Sequence, residues 1–170
     1  KHRRLLYEQG EPFAAAVAEA LALLGFVVTS RPGEPLAIDS GEERVFVEVE
    51  SDRDQVVEWP YVRLQRRLEE RMLKSGEQLK GLIIANGQRL TAPEERGEQT
   101  TEALRIASEN YHYTLMTAQT LFTLAQRALG GADPVTLEGF RRRILRGAGL
   151  LGPESAVGDL EEGRDVGPIF

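Results

Sequence analysis

The sequence predicts an α/β fold, a small mixed β-sheet flanked by helices, and three observations predict it. Leu36 to Ser51, LAIDSGEERVFVEVES, reads as two short strands joined by a tight turn at Ser40-Gly41-Glu42-Glu43. Leu79 to Ala85, LKGLIIA, is a continuous apolar run between turn signals, the pattern of a buried central strand. Glu11 to Leu24 and Tyr61 to Lys74 carry apolar residues at spacings of three and four, the helical period. Elements that alternate in this way pack as a sheet covered by helices.

Taken in order, residues 1–10 are basic, then polar, and end in Gly10. The first helix has Pro12 in its first turn and Phe13, Val17, Leu21 and Leu24 on one face, with Gly25 just past its end. Phe26 to Thr29 reads as a strand, and Arg31-Pro32-Gly33-Glu34-Pro35 as a loop before the hairpin. Pro60 delays or kinks the entry to the second helix, whose apolar side is Val62, Leu64, Leu68, Met72 and Leu73. Ser75-Gly76 ends it, and Asn86-Gly87 turns the chain after the central strand. Residues 91–97 form a loop, and Glu98 to Glu109 a helix with Leu104 and Ile106 inward. Tyr111 to Met116 is a strand, Thr117 to Leu129 a helix entered by a Thr cap, and Pro134 to Arg146 a last helix. The domain is therefore expected over residues 1–146. Residues 147–170, rich in Gly, Pro and acidic side chains, are expected to be a flexible tail.

Composition narrows the function classes. With 41% hydrophobic and 28% charged residues, the 170-residue chain is an ordinary globular one, sized for one domain. A net charge of −6 argues against coating nucleic acid by bulk charge, while a local basic groove stays compatible with it. The absence of cysteine removes disulfides and thiolate metal sites and leans towards a cytoplasmic protein. His2 and His112 lie far apart in sequence, against a His-rich zinc site. No apolar run approaches the roughly 20 residues of a membrane span, and no segment reads as a signal peptide. A start at Lys1 rather than Met suggests a processed protein or a domain of a longer one.

The hairpin carries the chemistry. Side chains alternate along a strand, so Glu48 and Glu50 share one face and Val47 and Val49 the other. Two carboxylates on one face of an apolar strand need water, a cation or a basic partner. Asp39 lies across the hairpin and is expected to close a cluster of three carboxylates, a set of hard oxygen ligands suited to Mg²⁺ or Mn²⁺. A simply solvated face of an edge strand is the plainer reading of the same residues. On the second helix Arg63, Arg66, Arg67, Arg71 and Lys74 interleave with Glu69 and Glu70, either as surface charge pairs or as a groove-side set for phosphates.

The pieces also fit a known order. Leu5-Leu6-Tyr7-Glu8-Gln9-Gly10, Leu23-Leu24-Gly25-Phe26, Val47-Glu48-Val49-Glu50, Lys80-Gly81 to Asn86-Gly87 and Pro93-Glu94-Glu95-Arg96 follow one another along the chain. Over about residues 5–146 this resembles bacterial domains of the restriction-endonuclease-like superfamily, the PD-(D/E)xK phosphodiesterases. The resemblance implies a restriction-endonuclease-like fold, with Asp39 and Glu48 as metal-binding acids. Glu50 stands where the family usually has Lys, as an extra ligand or a base. A bound metal would lower the pKa of the attacking water and stabilise the charge that develops at phosphorus. Two further positions differ from the pattern: Ala14, where related domains often carry Glu, and Ser51, where they often carry Gly.

Two functions follow. The first is a divalent-metal-dependent nuclease, with Asp39, Glu48 and Glu50 as catalytic and metal residues and Arg66, Arg67, Asn86 and Arg96 toward phosphate or ligand. The second is a catalytically silent nuclease-like module that binds a nucleotide, a nucleic acid or a protein partner within a larger protein; Ala14 and the missing lysine support it. A blander scaffold would use the terminal helices, with Arg141-Arg142-Arg143 toward an acidic partner. A homodimer is compatible with each, and no membrane partner is expected.

Overall fold

The structure, a computed structural model, describes residues 2–153. Its centre is a six-stranded sheet in the order β1 (Val27–Thr29), β2 (Leu36–Asp39), β3 (Arg44–Ser51), β4 (Lys80–Asn86), β5 (Thr114–Thr117) and β6 (Gly149–Leu150). The first three strands are antiparallel, and β3 to β6 run parallel. The mixed α/β sheet flanked by helices is therefore present.

Each pair of parallel neighbours is joined through helix: α3 (Trp59–Ser75) between β3 and β4, α4 (Glu102–Asn110) between β4 and β5, and α5 (Ala118–Leu129) with α6 (Pro134–Arg146) between β5 and β6. Two helices precede the sheet, α1 (Arg4–Tyr7) and α2 (Gly10–Leu23).

Strand alternation divides the core in two. Val45, Val47, Leu82, Ile84 and Met116 meet α2, α5 and α6 on one face. Phe46, Ile83, Ala85 and Leu115 meet Leu64 of α3 and Leu104 of α4 on the other. All four apolar positions of the α2 stripe, Phe13, Val17, Leu21 and Leu24, are at most 1% exposed, so the helical period did locate the buried face. Gly25 follows with φ +94°, the left-handed conformation that ends a helix at little cost for glycine.

Elsewhere tertiary contacts shift the boundaries. Pro60 lies in the first turn of α3, where its missing N–H costs nothing, and neither kinks nor delays the helix. The fourth helix begins at Glu102 rather than Glu98. Thr100 instead forms a parallel bridge with Val56, and the Thr101 side chain accepts the Leu104 N–H as an N-cap. Ile106 faces outward at 50% exposure, and only Leu104 of the expected pair is buried. The domain also runs past Arg146. Gly149 donates to the Tyr113 carbonyl at 2.8 Å and Leu151 to that of Leu115 at 2.7 Å, adding β6 to the sheet. The rest of the expected tail, from residue 154, lies outside the described residues.

Candidate functional site

The alternation of β3 puts Phe46, Glu48 and Glu50 on the face covered by α3. On α3, Arg63, Arg67 and Arg71 recur every fourth residue and so share one stripe. Helix and strand meet along these two rows. Arg63 Nε donates to Glu48 Oε2 at 3.2 Å, and its Nη2 to Glu50 Oε2 at 2.7 Å. Arg67 Nη1 lies 2.5 Å from Glu48 Oε1. One guanidinium thus bridges both carboxylates, and a second makes an ion pair with Glu48.

Burial sets the electrostatics. The Glu48 side chain is 6% exposed, against 41% for each arginine and 35% for Glu50. Desolvation pushes the Glu48 carboxyl above the usual carboxylate range; Arg67 and Arg63 pull it down without cancelling that, and the charge of Glu50 adds to the rise. Burial alone would lower the Arg63 guanidinium, but its hydrogen bond to Glu50 and the charge of Glu48 outweigh it and raise it.

Asp39 is not brought to these carboxylates. The hairpin is antiparallel and pairs Asp39 with Arg44, at the turn, while Leu36 pairs with Val47. Glu48 therefore lies four residues further along β3 than the partner of Asp39, roughly 13 Å at the rise of a strand. The Asp39 carboxylate instead accepts the Gly41 N–H at 2.6 Å, an Asx-type turn that closes the hairpin. Among the described residues no group of three His, Asp or Glu side chains is placed to hold a metal ion.

The four residues expected at phosphate also separate. Arg66 is 81% exposed and pairs with Glu70 at 3.2 Å along the outer face of α3. Arg67 lies on Glu48; neighbours in a helix point about 100° apart, so the two arginines do not serve one ligand together. Asn86 is fully buried; its amide donates to Ser51 Oγ at 3.3 Å and its Oδ1 accepts from Arg96 Nη1 at 2.9 Å.

Arg96 is a clamp. It also donates to the carbonyls of Thr91 at 2.9 Å, Leu6 at 2.6 Å and Arg89 at 3.2 Å, and its guanidinium lies 5.9 Å from the centre of the Tyr7 ring. Ser51 Oγ in turn donates to the Glu8 carbonyl at 2.9 Å. The opening segment, the ends of β3 and β4 and the loop before α4 are therefore tied by one polar network, which fills the carboxyl end of the central strands. The basic triplet is similarly engaged: Arg141 Nη1 donates to the Leu24 carbonyl at 2.7 Å, and Arg142 pairs with Glu138 at 2.8 Å.

Sequence reasoning grouped Arg63 with the other basic residues of α3 and did not bring it to Glu48 and Glu50. Its signal is the spacing Arg63, Arg67, Arg71, which marks a stripe that the adjacent Arg66-Arg67 pair obscures. No family model, curated protein or solved structure matches the chain.

Proposed function

We propose that this chain is a catalytically silent, nuclease-like module that binds a phosphate-bearing ligand, a nucleotide or a nucleic-acid strand. The observation that carries the reading is the state of the E-V-E carboxylates. Both are compensated by Arg63 and Arg67, and the third acid, Asp39, closes a turn at the far end of the hairpin. A divalent-metal site needs those oxygens free, and Mg²⁺ or Mn²⁺ would have to displace two guanidiniums to reach them. As disposed, the donor set does not fit the metal. A restriction-endonuclease-like ancestry is supported by the order of the motifs and by the hairpin whose second strand carries Glu48 and Glu50, while the chemistry of that strand points to binding.

Calorimetric titration with Mn²⁺ and Mg²⁺ tests this, on the wild type and on Glu48→Gln. The expected result is no saturable binding up to millimolar metal and no cleavage of single- or double-stranded oligonucleotides. Saturable Mn²⁺ binding lost in Glu48→Gln would overturn the reading and restore the metal-dependent phosphodiesterase.

A further inference from the structure

Beside the ion-pair network, on the same face of the sheet, lies a pocket of about 330 Å³. Its lining joins three segments distant in sequence: Arg31, Glu34 and Pro35 before β2, Arg44 and Phe46 on β3, and Arg71 on α3. Three arginines line it, in a chain whose net charge is −6.

Their existing partners are few. Arg71 Nε donates to Glu77 Oε2 at 2.8 Å, which leaves its two terminal nitrogens for another acceptor. The side chains of Arg31 and Arg44 make no hydrogen bond or salt bridge among the described residues. Asp39, opposite Arg44 in the hairpin, is turned to the Gly41 N–H. Glu34 is the one acid in the lining, and Glu77 acts on Arg71 and Arg44 from outside it. Like charges brought together without a shared acceptor repel one another, and a multivalent oxyanion removes that repulsion while satisfying forked donors.

We infer that this pocket is an oxyanion site for a phosphomonoester group, with Arg31, Arg44 and Arg71 as its ligands. The inference rests on the binding-module reading and gives it a location. Three donor forks from three directions suit a terminal phosphate, with three free oxygens and up to two charges, better than a diester with two oxygens and one charge. The volume exceeds that of a phosphate, and Pro35 and Phe46 give the remainder an apolar wall for the group that bears it.

The test is a thermal-shift and calorimetric series at constant ionic strength. Its probes are inorganic phosphate, adenosine 5′-monophosphate, and one oligonucleotide with either a 5′-phosphate or a 5′-hydroxyl. Wild type is compared with Arg44→Gln and with Arg31→Gln, the latter on an exposed loop where folding is unaffected. At saturation at least one phosphomonoester probe is expected to raise the melting temperature by about 5 °C. Each variant is expected to weaken binding about tenfold, the effect of losing a charge-assisted contact.

Without ligand the variants should melt no lower than wild type, since they relieve repulsion. A stronger response to the nucleotide than to the 5′-phosphorylated strand identifies a small-molecule site, and the reverse identifies a strand end. No response to any probe, an equal response in the variants, or equal affinity for the 5′-hydroxyl strand would overturn the site. Metal titration decides the silent-module reading separately, so failure of either is recognisable.

Discussion

Removing the arginines from the Glu48 network is the most direct perturbation of this fold. In Arg63→Met/Arg67→Met the side-chain stems keep their packing while both guanidiniums are lost. Glu48 is then a carboxylate 6% exposed with no cation beside it. Stripping a buried charge of its partner costs about 3–5 kcal/mol. The arginines are 41% exposed, so water reaches part of the space they leave, and about 2–3 kcal/mol at pH 7.5 is the expected cost.

The cost depends on pH with a definite sign. Glu48 already has a folded-state pKa above its ordinary value, so its contribution to stability is fully present below that ordinary value and is lost as pH rises through the folded one. Loss of the arginines moves the folded value further up. The gap between wild type and variant should be small near pH 4.5 and widen toward pH 7.5. Urea unfolding followed by far-ultraviolet circular dichroism at three pH values measures it, with a melting-temperature difference of about 5–10 °C at pH 7.5. Adding Glu48→Gln to the double variant should recover much of the loss. A gap that stays constant with pH, or lies below about 0.5 kcal/mol at pH 7.5, would refute the claim that these arginines neutralise Glu48.

Two further substitutions probe the frame around the site. In Gly87→Ala the new Cβ would lie 2.1 Å from the Gln99 carbonyl oxygen, which the Val56 N–H holds at 2.9 Å, so backbone would have to move. A loss of about 3 kcal/mol or more is expected in urea unfolding, and a loss under 1 kcal/mol would show that the loop before α4 yields freely. Arg96→Lys keeps the charge but replaces a planar fork that reaches four carbonyl-type oxygens with one ammonium. About 2 kcal/mol should be lost, with faster amide hydrogen exchange at residues 5–8 by mass spectrometry; unchanged exchange there would disprove the clamp.

What the sequence made legible follows the range of each interaction. Period-two alternation in Val45 to Glu50 and the helical stripe of Phe13, Val17, Leu21 and Leu24 are local; the stripe locates the buried side of α2, while the alternation separates the two faces of β3 without showing that both are covered. The strand β6 has two residues, one of them Gly149 at φ +81°, and owes its existence to pairing with Thr114 and Leu115, so nothing local announces it. The late start of α4 has the same origin, since the pairing of Thr100 with Val56 holds its neighbours extended. Asp39 shows how far register outruns composition: its place across the hairpin was evident, but which end of β3 it meets depends on the turn, and the turn places it opposite Arg44.

The two carboxylates of β3 account for the basic stripe on α3. Glu48 and Glu50 put two negative charges on a face that α3 covers, and burial of both is tolerable only if the covering helix delivers the compensation. Arg63 and Arg67, one helical turn apart, supply two positive charges at the spacing that reaches both side chains. The carboxylate oxygens of Glu48 and Glu50 thus anchor α3 to the sheet. The same stripe continues to Arg71, which has no strand carboxylate to meet and pairs with Glu77 through one nitrogen only. Anchoring consumes the carboxyl-terminal half of β3, and the basic surplus falls at its amino-terminal half, beside Arg44 and Arg31. There Arg31, Arg44 and Arg71 line one pocket together with Phe46.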